Sequence, residues 1–181
     1  MTAYDFVHLS LLAMGGSVQG KTKLQKTVYF LAVMTGHTND LEYRAHYYGP
    51  YSQEVSLAVG KLEGVGFVET DVLSWGMDSR GFERTRTNYT LTPDGRSVAE
   101  MKAENYPSLW HKLLKASVVL RDADMDYMKL SVAAKTYFLL GERGGKGEMD
   151  ELRQMAGKFH WQLSDSEIDE AVEFLESVKL V

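Results

Sequence analysis

The chain has no cysteine, only three prolines, and no apolar run approaching the roughly 18 residues that a membrane-spanning helix needs. Without cysteine it can carry no disulfide framework, no thiolate zinc site and no cysteine nucleophile. The stretch from Met1 to Gly16 has no basic segment ahead of its apolar residues, so it does not read as a signal peptide. No membrane association is expected, and the cytoplasm is the expected compartment. An excess of positive charge is also missing: 20 basic residues against 25 acidic ones give a net charge of −5, so any nucleic-acid binding must come from a local patch. What remains is ordinary globular material, 181 residues with 44% hydrophobic and 25% charged, which excludes disorder over most of the length.

Signatures of catalysis are just as scarce. No two of His8, His37, His46, His111 and His160 are three or four residues apart, so metal-ligand spacing is absent. Gly144-Gly145-Lys146-Gly147 has no Ser or Thr after its lysine and no strand before it, which excludes the phosphate-loop pattern. No Gly-x-Ser-x-Gly nucleophile motif occurs. The expectation is a protein that is not an enzyme and carries no cofactor or metal.

Periodicity gives the element order. A first helix is expected from Asp5 to Met14, ended by Gly15-Gly16, and a second, apolar on most of its surface, from Thr22 to Thr35. The tyrosine-rich alternation from Leu41 to Tyr48 predicts a strand, stopped by Gly49-Pro50. A third helix to about Glu63 places Val55, Ala58, Val59 and Leu62 on one side. Phe67 to Trp75 and Glu83 to Leu91 then follow period two, as a hairpin joined across Gly76 to Gly81. Thr92-Pro93 opens a helix to about Asn105, Pro107 interrupts it, and Ser108 to Leu120 resumes. Beyond the acidic stretch Arg121 to Asp126, three more helices are expected at Tyr127 to Gly141, Glu148 to Phe159 and Ser164 to Val178, with Ser164 and Glu167 forming a capping box. The order predicts an α+β, mainly helical chain: a winged helix-turn-helix domain over 1–104, with the hairpin as its wing, and a helical region over 105–181.

The two parts share a pattern. Val28-Tyr29-Phe30-Leu31 recurs as Thr136-Tyr137-Phe138-Leu139, 108 residues on, and Leu62 to Val68 recurs as Leu175 to Val181, 113 residues on. The near-equal offsets suggest a second, wingless helix-turn-helix in the C-terminal part.

Four sets of residues stand out as binding candidates. Lys21, Lys23 and Lys26 are three cations in six residues at a helix start, with no acid between Asp5 and Asp40. Lysine there opposes the helix dipole, which fits an answering phosphate or acidic partner, or else a solvated turn whose stems cover apolar surface. Arg80, Arg84 and Arg86 on the hairpin fit phosphate contacts, or pairing with Asp78 and Glu83. Outward on the third helix, Gln53 and Ser56 have base-reading chemistry, while Leu57 beside Gly60 suits a close protein contact. Tyr47, Tyr48 and Tyr51, with Tyr43 around Gly49-Pro50, offer either a recognition surface or core packing.

Three segments, GKTKLQKTVYFL (Gly20 to Leu31), HYYGPYSQEV (His46 to Val55) and NYTLTPDGR (Asn88 to Arg96), resemble the YwgA-type proteins and, more distantly, the Panacea or SocA-like antitoxin domain. The resemblance spans roughly residues 5 to 100, and Thr27 departs from it where the family usually has leucine. The last segment is also similar to the final wing strand and following helix of PadR- and MarR-like regulators. The resemblance implies a winged-helix core with a role in regulation, toxin neutralisation or phage-related biology, and it transfers no catalytic residue. The expected function is therefore a non-enzymatic, DNA-binding transcriptional regulator, with an antitoxin-like or adaptor protein-interaction module as the alternative. The apolar Ser108 to Leu120 helix would suit a homodimer contact.

Overall fold

A computed structural model describes residues 1–77, 83–142 and 149–181. The first helix, α1 (Ala3–Ala13), starts earlier than its periodicity suggests, because Thr2 and Asp5 close a reciprocal capping box and Asp5 becomes its third residue. From Phe6 to Ala13 every residue of α1 is buried. Gly15 and Gly16 then turn the chain at φ +89° and +91° into a three-residue strand, β1 (Ser17–Gln19). Next come α2 (Lys21–Thr35), a 3-10 turn (Asn39–Leu41) and α3 (Gln53–Gly64). The hairpin strands β2 (Val68–Met77) and β3 (Glu83–Leu91) lead to α4 (Pro93–Asn105), α5 (Pro107–Asp122), α6 (Tyr127–Glu142), α7 (Met149–Lys158) and α8 (Asp165–Ser177).

The chain is thus mainly helical, with one small antiparallel sheet in the order β1-β3-β2. The expected hairpin forms, paired from Val68↔Leu91 to Ser74↔Thr85. The strand expected over Leu41 to Tyr48 does not. Glu42 takes a left-handed backbone (φ +43°), which breaks the extended run, and an isolated bridge, Arg44↔Tyr51, ties the segment to the stretch leading into α3. The third strand is Ser17–Gln19 instead, too short between Gly16 and Gly20 to show a period, and it pairs with β3 through Val18↔Tyr89.

The α2 helix lies at the centre of the fold. Every residue from Leu24 to Ala32 is buried, because α5 and α6 cover the sides that an isolated three-helix unit would leave open. Tyr29 meets Tyr137 of α6 at 6.2 Å between ring centroids, and Phe30 meets Phe174 of α8 edge-on at 5.6 Å. The apolar core is continuous across residue 105, taking in Leu113, Leu139 and Leu175 with Phe6 and Phe30. Each such side chain contributes roughly 1.5–3 kcal/mol of burial. The start of α4 seats directly on the turn before β2, where a Cβ on Gly95 would lie 2.0 Å from the Phe67 carbonyl oxygen, so only glycine fits. Beneath it the buried His8 uses Nε2 to donate to the Gly95 carbonyl at 2.8 Å, which leaves Nδ1 without a partner. Burial, with Lys102 nearby, lowers its pKa to about 4, so His8 is a neutral core residue. Among the described residues no helix is long and apolar enough to cross a membrane.

The ends of α3 and α8 are alike. Val65 and Val178 both sit at φ −97°, ψ 5°, and are followed by left-handed Gly66 (φ +75°) and Lys179 (φ +60°). Phe67 then donates its N–H to Leu62 O at 2.8 Å, and Leu180 to Leu175 O at 2.9 Å. At the same offset of 113, the buried Val55, Ala58 and Leu62 match the buried Ile168, Ala171 and Leu175.

Candidate functional site

The motif at the start of α2 is a seam between helices as well as a surface. Gln25, buried, holds the backbone of Ser52 at both ends: its Nε2 donates to Ser52 O at 2.9 Å, and its Oε1 accepts from Ser52 N at 3.0 Å. The Ser52 hydroxyl donates to Leu41 O and accepts the N–H of Val55, so one side chain caps α3 and ties down the 3-10 turn. Ser56, expected at a base edge, belongs to this seam. Its hydroxyl accepts from Gln25 Nε2 at 3.1 Å and shares a 2.8 Å hydrogen bond with the Tyr51 hydroxyl. Ser56 and Tyr51 are therefore occupied within the molecule rather than presented to a groove or a partner.

Lys26 is also turned inward. It is 1% exposed, and its ammonium donates to the Pro50 carbonyl at 2.5 Å, apart from the accessible Lys21 and Lys23. Desolvation, with Lys135 adding like charge, lowers its pKa to about 7. Pro50 is one of three carbonyls gripped two residues apart. Trp161 donates its Nε1–H to His46 O at 2.7 Å, and Ser131 of α6 donates to Tyr48 O at 2.6 Å. With its backbone held from below, the loop turns Tyr47 and Tyr48 outward, 68% and 57% exposed and edge-to-face at 5.0 Å. Tyr43 goes the other way, packing edge-on against Tyr29 at 4.8 Å.

The outward face of α3 bears Gln53, Leu57, Gly60, Lys61 and Glu63. Leu57 is 47% exposed, and a Cβ added at Gly60 would meet nothing within 4 Å. The α8 helix, built on the same buried pattern, carries exposed Glu170 and Glu173 at these two positions.

Lys21 and Lys23 remain accessible, and they line one cleft with Arg86 of β3. Arg84 lies on β3, two residues before Arg86; its side chain, like Arg80 and the Gly144 to Gly147 turn, lies outside the described residues. Of the expected DNA contacts, the fold thus brings together Lys21, Lys23 and Arg86, puts Gln53 at the exposed start of α3, and takes Lys26 and Ser56 inside. Reading the sequence alone missed Gln25, Ser52, Ser131 and Trp161. The signal available was Gln25 beside Lys26 in an otherwise apolar helix, where a polar pair must find partners or stay wet.

No family model matches the chain. Over 166 residues it is 27% identical to the uncharacterized protein YwgA of Bacillus subtilis (strain 168), covering 92% of this chain and 90% of that protein. This likeness, extending over nearly the whole of both chains, supports a YwgA-type family.

Proposed function

We propose that the N-terminal part is a winged helix-turn-helix whose third helix recognises another protein, making the chain a non-enzymatic adaptor or antitoxin-like module. The order α1-β1-α2-α3-β2-β3 and the placing of β3 between β1 and β2 agree with that fold. The carrying observation is the pair Leu57 and Gly60. A helix with the same buried face and the same C-terminal turn, α8, keeps those positions acidic, so an exposed leucine beside a bare backbone is not needed to build the helix. An exposed apolar side chain next to a glycine gains most from a partner that packs closely over both. A DNA groove offers less: the exposed face of α3 carries Lys61 against Glu63 and has no arginine, and Ser56 and Lys26 are engaged inside.

The test copies α8 onto α3. The double variant Leu57→Glu, Gly60→Glu is expected to stay folded, with a melting temperature close to that of the parent, and to lose the protein that the tagged parent retains from its native cells. Retention of the same protein by the double variant would exclude this face. A gel-shift series showing a sequence-dependent, salt-sensitive complex with genomic fragments would favour the transcriptional-regulator reading instead.

A further inference from the structure

The cleft at the start of α2 has a volume of about 920 Å³ and inverts the charge of the chain around it. Among the described residues, Lys21, Lys23, Arg86 and Arg121 line it with one carboxylate, Asp126, in a protein whose net charge is −5, although Arg86 and Arg121 also have partners within the fold. These cations come from α2, β3 and α5, which are far apart in sequence, so their convergence is a product of the fold. The α2 helix points its N-terminus into the same space with Gly20 as N-cap and no side-chain cap, leaving its first N–H groups available to an anion. Deeper in the cleft lies Thr27, 2% exposed, whose hydroxyl has no hydrogen-bond partner among the described residues. That oxygen is not fully enclosed, so it opens on the cleft, where solvent meets it until a ligand oxygen takes its place. At the rim stand Tyr48 and Tyr127, each more than half exposed.

From these features we infer that the cleft binds a nucleoside phosphate. The phosphates would sit on Lys21, Lys23 and the α2 amides, Thr27 would meet a phosphate or sugar oxygen, and Tyr48 or Tyr127 would stack on the base. The volume suits a ligand of that size. Shape separates this ligand from duplex DNA. Arg121, Asp126 and Tyr127, at the junction of α5 and α6, line the cleft together with β1 and β3, and Thr27, 2% exposed, is within reach of a small group entering the cleft rather than of a rigid duplex across its mouth.

Calorimetric titration of the full chain with ADP, inorganic pyrophosphate and a short DNA duplex tests the assignment. ADP is expected to bind saturably and more tightly than pyrophosphate. Lys21→Gln with Lys23→Gln should weaken ADP by at least about tenfold, the loss of two charge-assisted contacts. Thr27→Val, nearly the same shape, should weaken ADP several-fold without lowering the melting temperature, and Tyr127→Ala should weaken ADP while sparing pyrophosphate. Absence of saturable ADP binding at millimolar concentration overturns the proposal. So does ADP binding that ignores the lysine and Thr27 variants, pyrophosphate binding as tight as that of ADP, or a duplex that binds more tightly than ADP and displaces it.

Discussion

Where α2 buries Gln25 and Lys26, α6, at an offset of 108, buries Ala133 and Ala134; where α3 exposes Leu57 and Gly60, α8, at an offset of 113, exposes Glu170 and Glu173. The two regions keep matching buried apolar positions, Val55 and Ile168, Ala58 and Ala171, Leu62 and Leu175. At the positions where they differ in this way the C-terminal region makes the choice that folds more easily, whereas at Thr136, a buried hydroxyl without a partner among the described residues where α2 has Val28, it makes the harder one. Burying an ammonium and exposing a leucine each work against stability. The N-terminal region tolerates both, and what it obtains is a fixed loop between α2 and α3. The corresponding stretch between α6 and α8 contains a helix, α7, and is itself tied to that loop through Trp161.

The comparison breaks most decisively if the matched core leucines behave differently. Leu62→Ala and Leu175→Ala remove fully buried side chains, and each is expected to cost about 2–5 kcal/mol in one shared urea transition. Two separate transitions, with only one moved by each variant, would show that the halves unfold independently.

Lys26 sharpens it next. Its folded pKa of about 7 lies below the ordinary value of 10.5, so between those limits the unfolded chain holds the extra proton. Stability should therefore rise with pH from about 7 to about 10.5, by at most about 1.4 kcal/mol per pH unit. In Lys26→Met this alkaline slope should shrink, leaving the contribution of Lys135, whose pKa burial also lowers, and thermal melts across the range will read the difference. His8 acts in the same direction lower down, stability falling as pH drops from 6.5 towards 4. That limb should persist in Lys26→Met.

The matched helix ends give a smaller effect of opposite sign. Gly66→Ala forces a side chain into φ +75° and should cost about 1 kcal/mol, whereas Lys179→Gly relieves φ +60° and should gain about 0.5–1 kcal/mol by chemical denaturation. The smallest expected change is at the exposed pair. Leu57→Glu and Glu170→Leu should each alter stability by no more than about 0.5 kcal/mol, the latter also losing the exposed Lys129 ion pair at 3.4 Å.

Much of the element order was legible because capping and breaking residues are local. Thr92 with Pro93, Pro107, and Ser164 with Glu167 act within a turn of themselves, and each helix start lies where they put it. The strand β1 was not legible, since three residues carry no period and their partner, β3, lies about seventy residues away. Tyr43, Tyr47 and Tyr48 suggested a strand by alternation, but their alternation separates a ring in the core from rings in solvent. The candidate site was legible only in part for the same reason. Lys21 and Lys23 are accessible as expected, while Lys26 and Ser56, outward on an isolated helix, meet partners that arrive from distant sequence. Thr27 looked like an incidental departure from leucine because nothing local shows that an opening lies above it.

The grip on His46, Tyr48 and Pro50 has a thermodynamic corollary. The three donors belong to α2, α6 and the segment after α7, so the tyrosine loop is a clasp across both regions, and Tyr48 reaches the cleft as well. Whatever shifts α6 against α2 must slacken that clasp, and whatever tightens the clasp must resist the shift. Occupants of the loop and of the cleft would then report on each other with equal strength in both directions, as linkage requires.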